Sequence, residues 1–139
     1  MLDFLPNLLS NISKDEARQI SPLVLAFIGD GVQTLYVRTK FVLTSTLPPN
    51  ELHKRTTEKV KAVSQAKQIK SLLSVLTEEE LAIFKRARNS NVQSSAKNAS
   101  LADYKQASGY EAVIGYLYLT ANHERLNYLL QYAESEEEK

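Results

Sequence analysis

The chain of 139 residues is long enough to bury a core and short enough to be one domain, with the core over about 20–133. Its 43% hydrophobic and 24% charged residues are those of a globular protein, and the absence of Cys excludes disulfides, thiolate zinc sites and a cysteine nucleophile. Net charge is only +1, yet Glu51 to Lys105 holds 11 Lys/Arg against 6 Asp/Glu, while 134–139 holds four Glu and one Lys. The basic middle is compatible with a polyanionic partner, but on charge alone a solvated helix face is the better reading.

Along the chain, few Gly and Pro and no alternating strand pattern predict an all-α domain of about six to seven helices. The start, Met1-Leu2-Asp3-Phe4-Leu5-Pro6, has no basic segment ahead of an apolar one, so no signal peptide is expected. A short apolar segment spans about Met1 to Leu9. Ser21-Pro22 reads as N-cap and first turn of a long helix reaching about Leu43. Its apolar run, Leu23 to Ile28, falls far short of the roughly 20 residues needed to cross a bilayer. Pro48-Pro49 breaks the chain, and Asn50 is placed to cap a helix carrying Leu52, Thr56, Val60, Val63 and Ile69 on one side. Thr77-Glu78-Glu79-Glu80 has the form of a capping box ahead of Leu81, Ile83 and Phe84. Asn89 to Ser100 is polar and predicts a loop. A helix over about Leu101 to Ala121 follows, then a last one over Glu124 to Ala133, with an acidic tail, 134–139, expected to fray.

Asp30 stands out against this pattern, because it follows the apolar run and precedes Val32, Leu35, Tyr36 and Val37. On a helix, positions three, four and seven away share its face. These include Leu23, Ala26, Phe27 and Val37, with Gln33 and Thr34 as polar company. A carboxylate buried there alone would be unfavourable by several kcal/mol, so a cation, a donor or a metal is expected beside it. Glu111 repeats the situation within Gly109-Tyr110-Glu111-Ala112-Val113-Ile114-Gly115. Gly29 and Gly31 flank the first carboxylate; Ala107, Gly109, Ala112 and Gly115 surround the second. Gly inside a helix is about 1 kcal/mol worse than Ala, and close approach of two helix backbones is one reason to accept it. That approach would also unite the carboxylates. Oxygen ligands suit Mg2+ or Mn2+, with water completing the shell, and such a site activates water against a phosphoryl group. The alternative pairs Asp30 and Glu111 with basic side chains such as Arg38 or Lys105.

The segment Leu25-Ala26-Phe27-Ile28-Gly29-Asp30-Gly31-Val32 resembles the ribonuclease III signature, whose core reads Phe-Leu-Gly-Asp-Ala-Val. Gly109 to Leu119 resembles that family's second motif, Phe-Glu-Ala-Leu-Ile-Gly-Ala-Tyr-Leu. From about Pro22 to Leu130 the chain is similar to mini-ribonuclease III, the bacterial branch consisting of the catalytic domain alone. Further matches are Leu35-Tyr36-Val37-Arg38, Pro49-Asn50-Glu51-Leu52-His53, Lys85-Arg86-Ala87-Arg88-Asn89, Lys97-Asn98-Ala99 and Asp103-Tyr104. Full-length ribonuclease III has Glu where this chain has Ala26 and Asp where it has Ser108; the mini branch resembles the reduced pattern.

The resemblance implies a ribonuclease III catalytic domain acting as a two-fold homodimer in the cytoplasm. It implies Mg2+-dependent hydrolysis of double-stranded RNA, in maturation of 23S ribosomal RNA precursor, with a ribosomal protein as a conceivable stimulator. Asp30 and Glu111 would be the catalytic and metal-binding residues, with activated water as nucleophile. Lys85, Arg86, Arg88 and Lys97 would grip the duplex, which is met mainly through phosphates and 2′-hydroxyls. No C-terminal double-stranded-RNA-binding domain is expected in these 139 residues. The rival expectation is a catalytically inactive module that binds RNA or ribosomes, in which the same motifs serve packing and dimerisation. His53 and His123 lack a second ligand at zinc spacing, and the Tyr residues around Glu111 are expected to pack, with their hydroxyls partnered.

Overall fold

The structure is a computed structural model that describes residues 12–61, 69–90 and 101–137. Among the described residues there are six helices and no strand: α1 (Lys14–Arg18), α2 (Pro22–Thr44), α3 (Pro49–Val60), α4 (Glu78–Arg88), α5 (Leu101–Leu119) and α6 (His123–Glu137). A further helical turn covers 69–72. The all-α expectation holds. The segment 1–9, Val63, most of the polar loop (91–100, with Lys97) and 138–139 lie outside the described residues.

Helix α5 is the centre of the bundle. From Ala107 to Leu117 every residue except Glu111 is buried, and α1, α2, α4 and α6 all pack against it. Helix α2 instead buries one stripe, in which Leu25, Gly29, Gln33 and Val37 recur every fourth position, with Ala26 beside it. The core joins Leu25 and Ala26 to Ile69, Leu72, Ile83, Phe84, Leu126 and Leu129.

Local chemistry sets most helix ends. Proline occupies the first turn of α2 and α3, where its missing N–H is no loss. Ser21 is the N-cap residue of α2 and Pro22 opens the helix, as expected, though the Ser21 side chain makes no cap hydrogen bond; Asn50 does not cap α3, which begins at Pro49, so Asn50 is already helical. Helix α3 also stops at Val60, short of the predicted run to Ile69, because Lys61 turns extended (ψ 156°). No helix is expected from sequence at 14–18, yet Ser13 and Glu16 form a reciprocal capping box there. Helix α5 closes with the Asn122 N–H on the Leu117 carbonyl and the Ala121 N–H on the Tyr118 carbonyl. Ala121 takes φ 58° in that turn, a position that favours glycine. In the tail expected to fray from residue 134, α6 continues to Glu137, and Glu134 is tied to α2 by an ion pair with Lys40.

The predicted box at Thr77 and Glu80 is formed (3.0 and 3.1 Å) and carries a second load. Glu80 is only 4% exposed and receives two bonds of 2.8 Å from the Arg125 guanidinium, which also donates to the Val75 carbonyl at 2.6 Å. Burial pushes the Glu80 carboxyl up, but Arg125 and the Thr77 N–H outweigh it and hold the group below 4.5. A depressed folded value gives stability that is complete above the unfolded value and lost as pH falls through the folded one. Arg125→Met strands this buried carboxylate. We expect a loss of about 2 kcal/mol, less than for a fully enclosed pair because Arg125 is partly exposed. That is roughly an 8 °C drop in Tm at neutral pH. Because the variant has less to lose in acid, the deficit should narrow as melts are taken below about pH 4.5. An unchanged Tm would show that the pair contributes nothing net.

Candidate active site

The two motif helices touch backbone to backbone. A Cβ built on Gly29 would lie 2.7 Å from the Glu111 carbonyl carbon and 2.9 Å from the Gly115 nitrogen, closer still to the Glu111 oxygen. One on Gly115 would lie 2.7 Å from Ile28 Cγ2 and closer still to the Leu25 carbonyl oxygen. Residue 25 thus opposes 115 and residue 29 opposes 111, so α2 and α5 run antiparallel. Asp30 is the next residue after one contact, and Glu111 is itself in it. Glycine at 29 and 115 therefore has the role expected from sequence. Gly109 is crowded only by Phe84, and Gly31 by nothing within 4 Å.

Asp30 itself departs from expectation. It is exposed, while Glu111 is half-buried. The stripe through Gly29, Gln33 and Val37 takes the core side, which turns Asp30 outward beside Phe27, itself 80% exposed. With water on one side, the carboxylate needs no buried cation, and the inferred desolvation penalty falls away. What needs explaining instead is the apolar company left outside: Val24, Phe27, Leu35 and Val42 are all exposed, and with Gly31 they fall at steps of three, four, four and seven along one side of α2.

Two carboxylates fit Mg2+, which takes one or two protein carboxylates and fills its octahedron with water and substrate phosphate. Among the described residues no group of three or more His, Asp or Glu could form an all-protein cage. Asp30 is exposed and Glu111 half-buried on the two helices that meet at this crossing, so the pair would hold such an ion in an open arrangement that leaves positions for water and substrate.

The predicted RNA grip lies at the end of α4, where basic residues also complement the helix dipole. Lys85 is exposed. Arg88 stacks over the Phe84 ring at 5.7 Å and donates from Nε to Asn89 Oδ1 at 3.2 Å. Arg86 has a structural task that its sequence context does not reveal: Nη1 donates to the Arg18 carbonyl at 3.0 Å. Arg18 in turn reaches Glu79 (3.6 Å), which also accepts from the Tyr116 hydroxyl. Burial first, then Glu79, pushes that phenol up to about 12. Arg86 thereby helps strap α1 to α4 and α5. Sequence reasoning also passed over Gln33, Tyr36 and Lys59, which line a small pocket with Tyr110 and Glu134 at the junction of α2, α3, α5 and α6. Gln33 is 3% exposed, so a polar residue on the core stripe of α2 was the available signal.

Helices α2 to α5, with a glycine crossing that brings two carboxylate-bearing segments together, define an all-α domain built around that crossing. The Ribonuclease III domain family matches residues 23–122. A mini-ribonuclease 3 from a Thermoanaerobacter species is 44% identical over 131 residues, covering 94% of this chain and 92% of the relative. The Streptococcus pneumoniae mini-ribonuclease 3 is 44% identical over 115 residues, covering 81% and 90%. A crystal structure of a Fusobacterium nucleatum protein superposes with a TM-score of 0.77 at 32% identity, covering 86% of this chain and 96% of that one. The chain belongs to the ribonuclease III family of endoribonucleases, in its mini-ribonuclease III branch.

Proposed function

We propose that this protein cuts both strands of double-stranded RNA as a homodimer in the cytoplasm, with Asp30 and Glu111 holding a divalent cation, and that it matures 23S ribosomal RNA precursor. The observation that carries the proposal is the backbone contact at Gly29 and Gly115, which fixes both carboxylate-bearing turns at one crossing. Bound there, Mg2+ supplies positive charge against the charge developing on the phosphoryl group and acidifies the attacking water. The residues supply position: Asp30 faces solvent and substrate, and Glu111 is braced by the most buried helix. Lys85, Arg88 and, outside the described residues, Lys97 offer cations to phosphates; Arg86 divides its guanidinium between this surface and α1.

Purified protein should cleave a labelled RNA duplex in Mg2+, leave either single strand intact, and stop when chelator is added. Cleavage of single strands at the same rate would overturn the substrate class, and cleavage unaffected by chelator the metal dependence.

The homodimer is supported by the outer stripe of α2. Val24, Phe27, Gly31, Leu35 and Val42 span about 27 Å of helix at 1.5 Å per residue. An exposed apolar row of that length needs cover, and a two-fold axis provides it with the same surface from a second chain. Two crossings then face the two strands of one duplex. Light scattering at micromolar protein should give roughly twice the 15.6 kDa chain mass. Phe27→Asp should return the mass to that of one folded chain, because the residue is outside the core. An unaltered dimer in Phe27→Asp would move the interface off this stripe.

A further inference from the structure

One charge interrupts the outer apolar row of α2. Arg38 falls between Leu35 and Val42, so the row reads Val24, Phe27, Gly31, Leu35, Arg38, Val42. All six positions are exposed. The Arg38 guanidinium has no hydrogen bond or ion pair with another described residue, and neither has the Asp30 carboxylate. They cannot serve one another within a chain, because the eight positions between them amount to about 12 Å of helix.

A two-fold axis across α2 lays a second copy of the row against the first, running the other way. The spacing of the row selects where that axis falls. Centred beside residue 33, it pairs Gly31 with the partner's Leu35 and Val24 with the partner's Val42, each contact occurring twice. Leu35, itself 45% exposed, then fills the space at Gly31, where an added Cβ would meet nothing within 4 Å. An axis centred on Gly31 would instead set the two glycines face to face and leave a void there. It would also carry Val42 past the start of α2 at Pro22.

In the first register the partner's Arg38 falls opposite Ile28, beside Phe27, which is 80% exposed. Asp30 lies two positions further on, about 3 Å along the helix. At about 3.6 residues per turn, Phe27, Asp30 and Arg38 all fall to one side of the row's midline, and an axis of this kind keeps that side on itself. We propose that the partner's Arg38 lies over the Phe27 ring and donates to the Asp30 carboxylate, as a positioning residue supplied in trans. A planar guanidinium suits both contacts, by stacking and by forked donation. Held in this way on one side, the carboxylate keeps its other oxygen free, as metal-binding carboxylates that are themselves hydrogen-bonded do. The site is then incomplete in a single chain. This inference rests on the homodimer and on the assignment of Asp30 to the site.

The parent has no Cys, so the register can be read without any activity. Asp30→Cys and Arg38→Cys chains, refolded together in metal-free buffer, should be joined into a covalent dimer by a short bifunctional maleimide. Neither should be joined when treated alone. Arg38→Met keeps a stem to cover Phe27 and removes the guanidinium; it should remain a dimer by light scattering. Its kcat on duplex RNA should fall on the order of ten-fold at unchanged KM. Heterodimers of Arg38→Met with Asp30→Asn chains retain one intact Asp30 facing an intact Arg38, and should nick duplex at about half the parent rate. With both substitutions in one chain and a parent chain opposite, the intact Asp30 faces Met, and roughly a twentieth should remain. The reverse ranking of the two heterodimers puts Arg38 in its own chain's site and overturns the proposal. So does full kcat in Arg38→Met, a monomeric Arg38→Met, or a mixture that does not cross-link. A monomeric parent, or cleavage retained by Asp30→Asn, defeats the proposed function and this inference with it. With a dimeric parent and an inactive Asp30→Asn, the heterodimers decide this inference alone.

Discussion

Asp30→Asn should abolish duplex cleavage while leaving fold and RNA binding intact. The side chain is exposed, so exchanging one oxygen for an amide disturbs no core contact and should change stability by less than about 0.5 kcal/mol. Its effect on chemistry is of another order. A neutral amide is a poor ligand for a hard dication and lowers the negative charge of a site with only two candidate carboxylates. Losing about 4 kcal/mol of transition-state stabilisation from a displaced cation corresponds to a rate loss on the order of 1,000-fold. Duplex affinity, which under this proposal comes from phosphate contacts elsewhere, should stay within about two-fold at fixed salt. Glu111→Gln should lose cleavage similarly, with a larger stability penalty because that side chain is half-buried. The combination separates an enzyme from an inactive binding module. Single-turnover cleavage, melting curves and filter binding on the same preparations supply the three readouts. Cleavage retained by Asp30→Asn, with contaminating nuclease excluded, would remove it from the catalytic site; a large fall in Tm would make the residue structural.

The elements legible in the sequence were those whose signal is local. Pro22, the Thr77–Glu80 box and the apolar density of α5 each specify a helix from a few adjacent residues, and each helix is present. Helix α1 announces itself by the same kind of box at Ser13 and Glu16, but its five residues carry too little periodicity to be seen. The length of α3 was misjudged for the opposite reason: an apolar spacing can continue through residues whose backbone does not, and Lys61 is extended. Helix α6 outlasts its apolar pattern because Glu134 is held by Lys40, a partner 94 positions away in sequence.

The close helix crossing was legible from its glycines, and the environment of the two candidate carboxylates was not. Glycine around both carboxylates correctly pointed to a close crossing, because a missing side chain inside a helix has few other uses. The face of Asp30 could not be read the same way. Helix α2 is apolar on two sides, and periodicity alone does not tell which side meets α5 and which is left exposed. The answer lies in Gly29 and Gln33: the glycine must face the neighbouring backbone, and that rotates Asp30 and Phe27 outward. Arg86 and Arg125 show the same limit for cations. Both sit among other charged residues in sequence, but one is bound to the Arg18 carbonyl and the other to a buried Glu80.

Gly29→Ala and Gly115→Ala should each destabilise the protein severely, while Gly31→Ala, two residues from the first, should stabilise the single chain. At 29 the new methyl would fall within the Glu111 carbonyl group, and at 115 within that of Leu25. The obstacle in each case is backbone, which has no rotamer with which to yield. The helices would have to separate along a contact that forms the middle of the core, so overpacking and the resulting voids add together. We expect losses of about 4 kcal/mol or more, at the extreme of single substitutions. At Gly31 nothing stands within 4 Å, and replacing a helical glycine by alanine should gain about 0.5–1 kcal/mol. Urea titrations of the three variants should therefore diverge in opposite directions from the parent. The cleavage assay adds a second axis: any Gly29→Ala protein that still folds should cut poorly, because the contact that fixes stability also sets the relation of Asp30 to Glu111. If Gly29→Ala and Gly31→Ala had equal midpoints, the helices would not be in backbone contact. The geometric basis for placing both carboxylates at one site would then be lost.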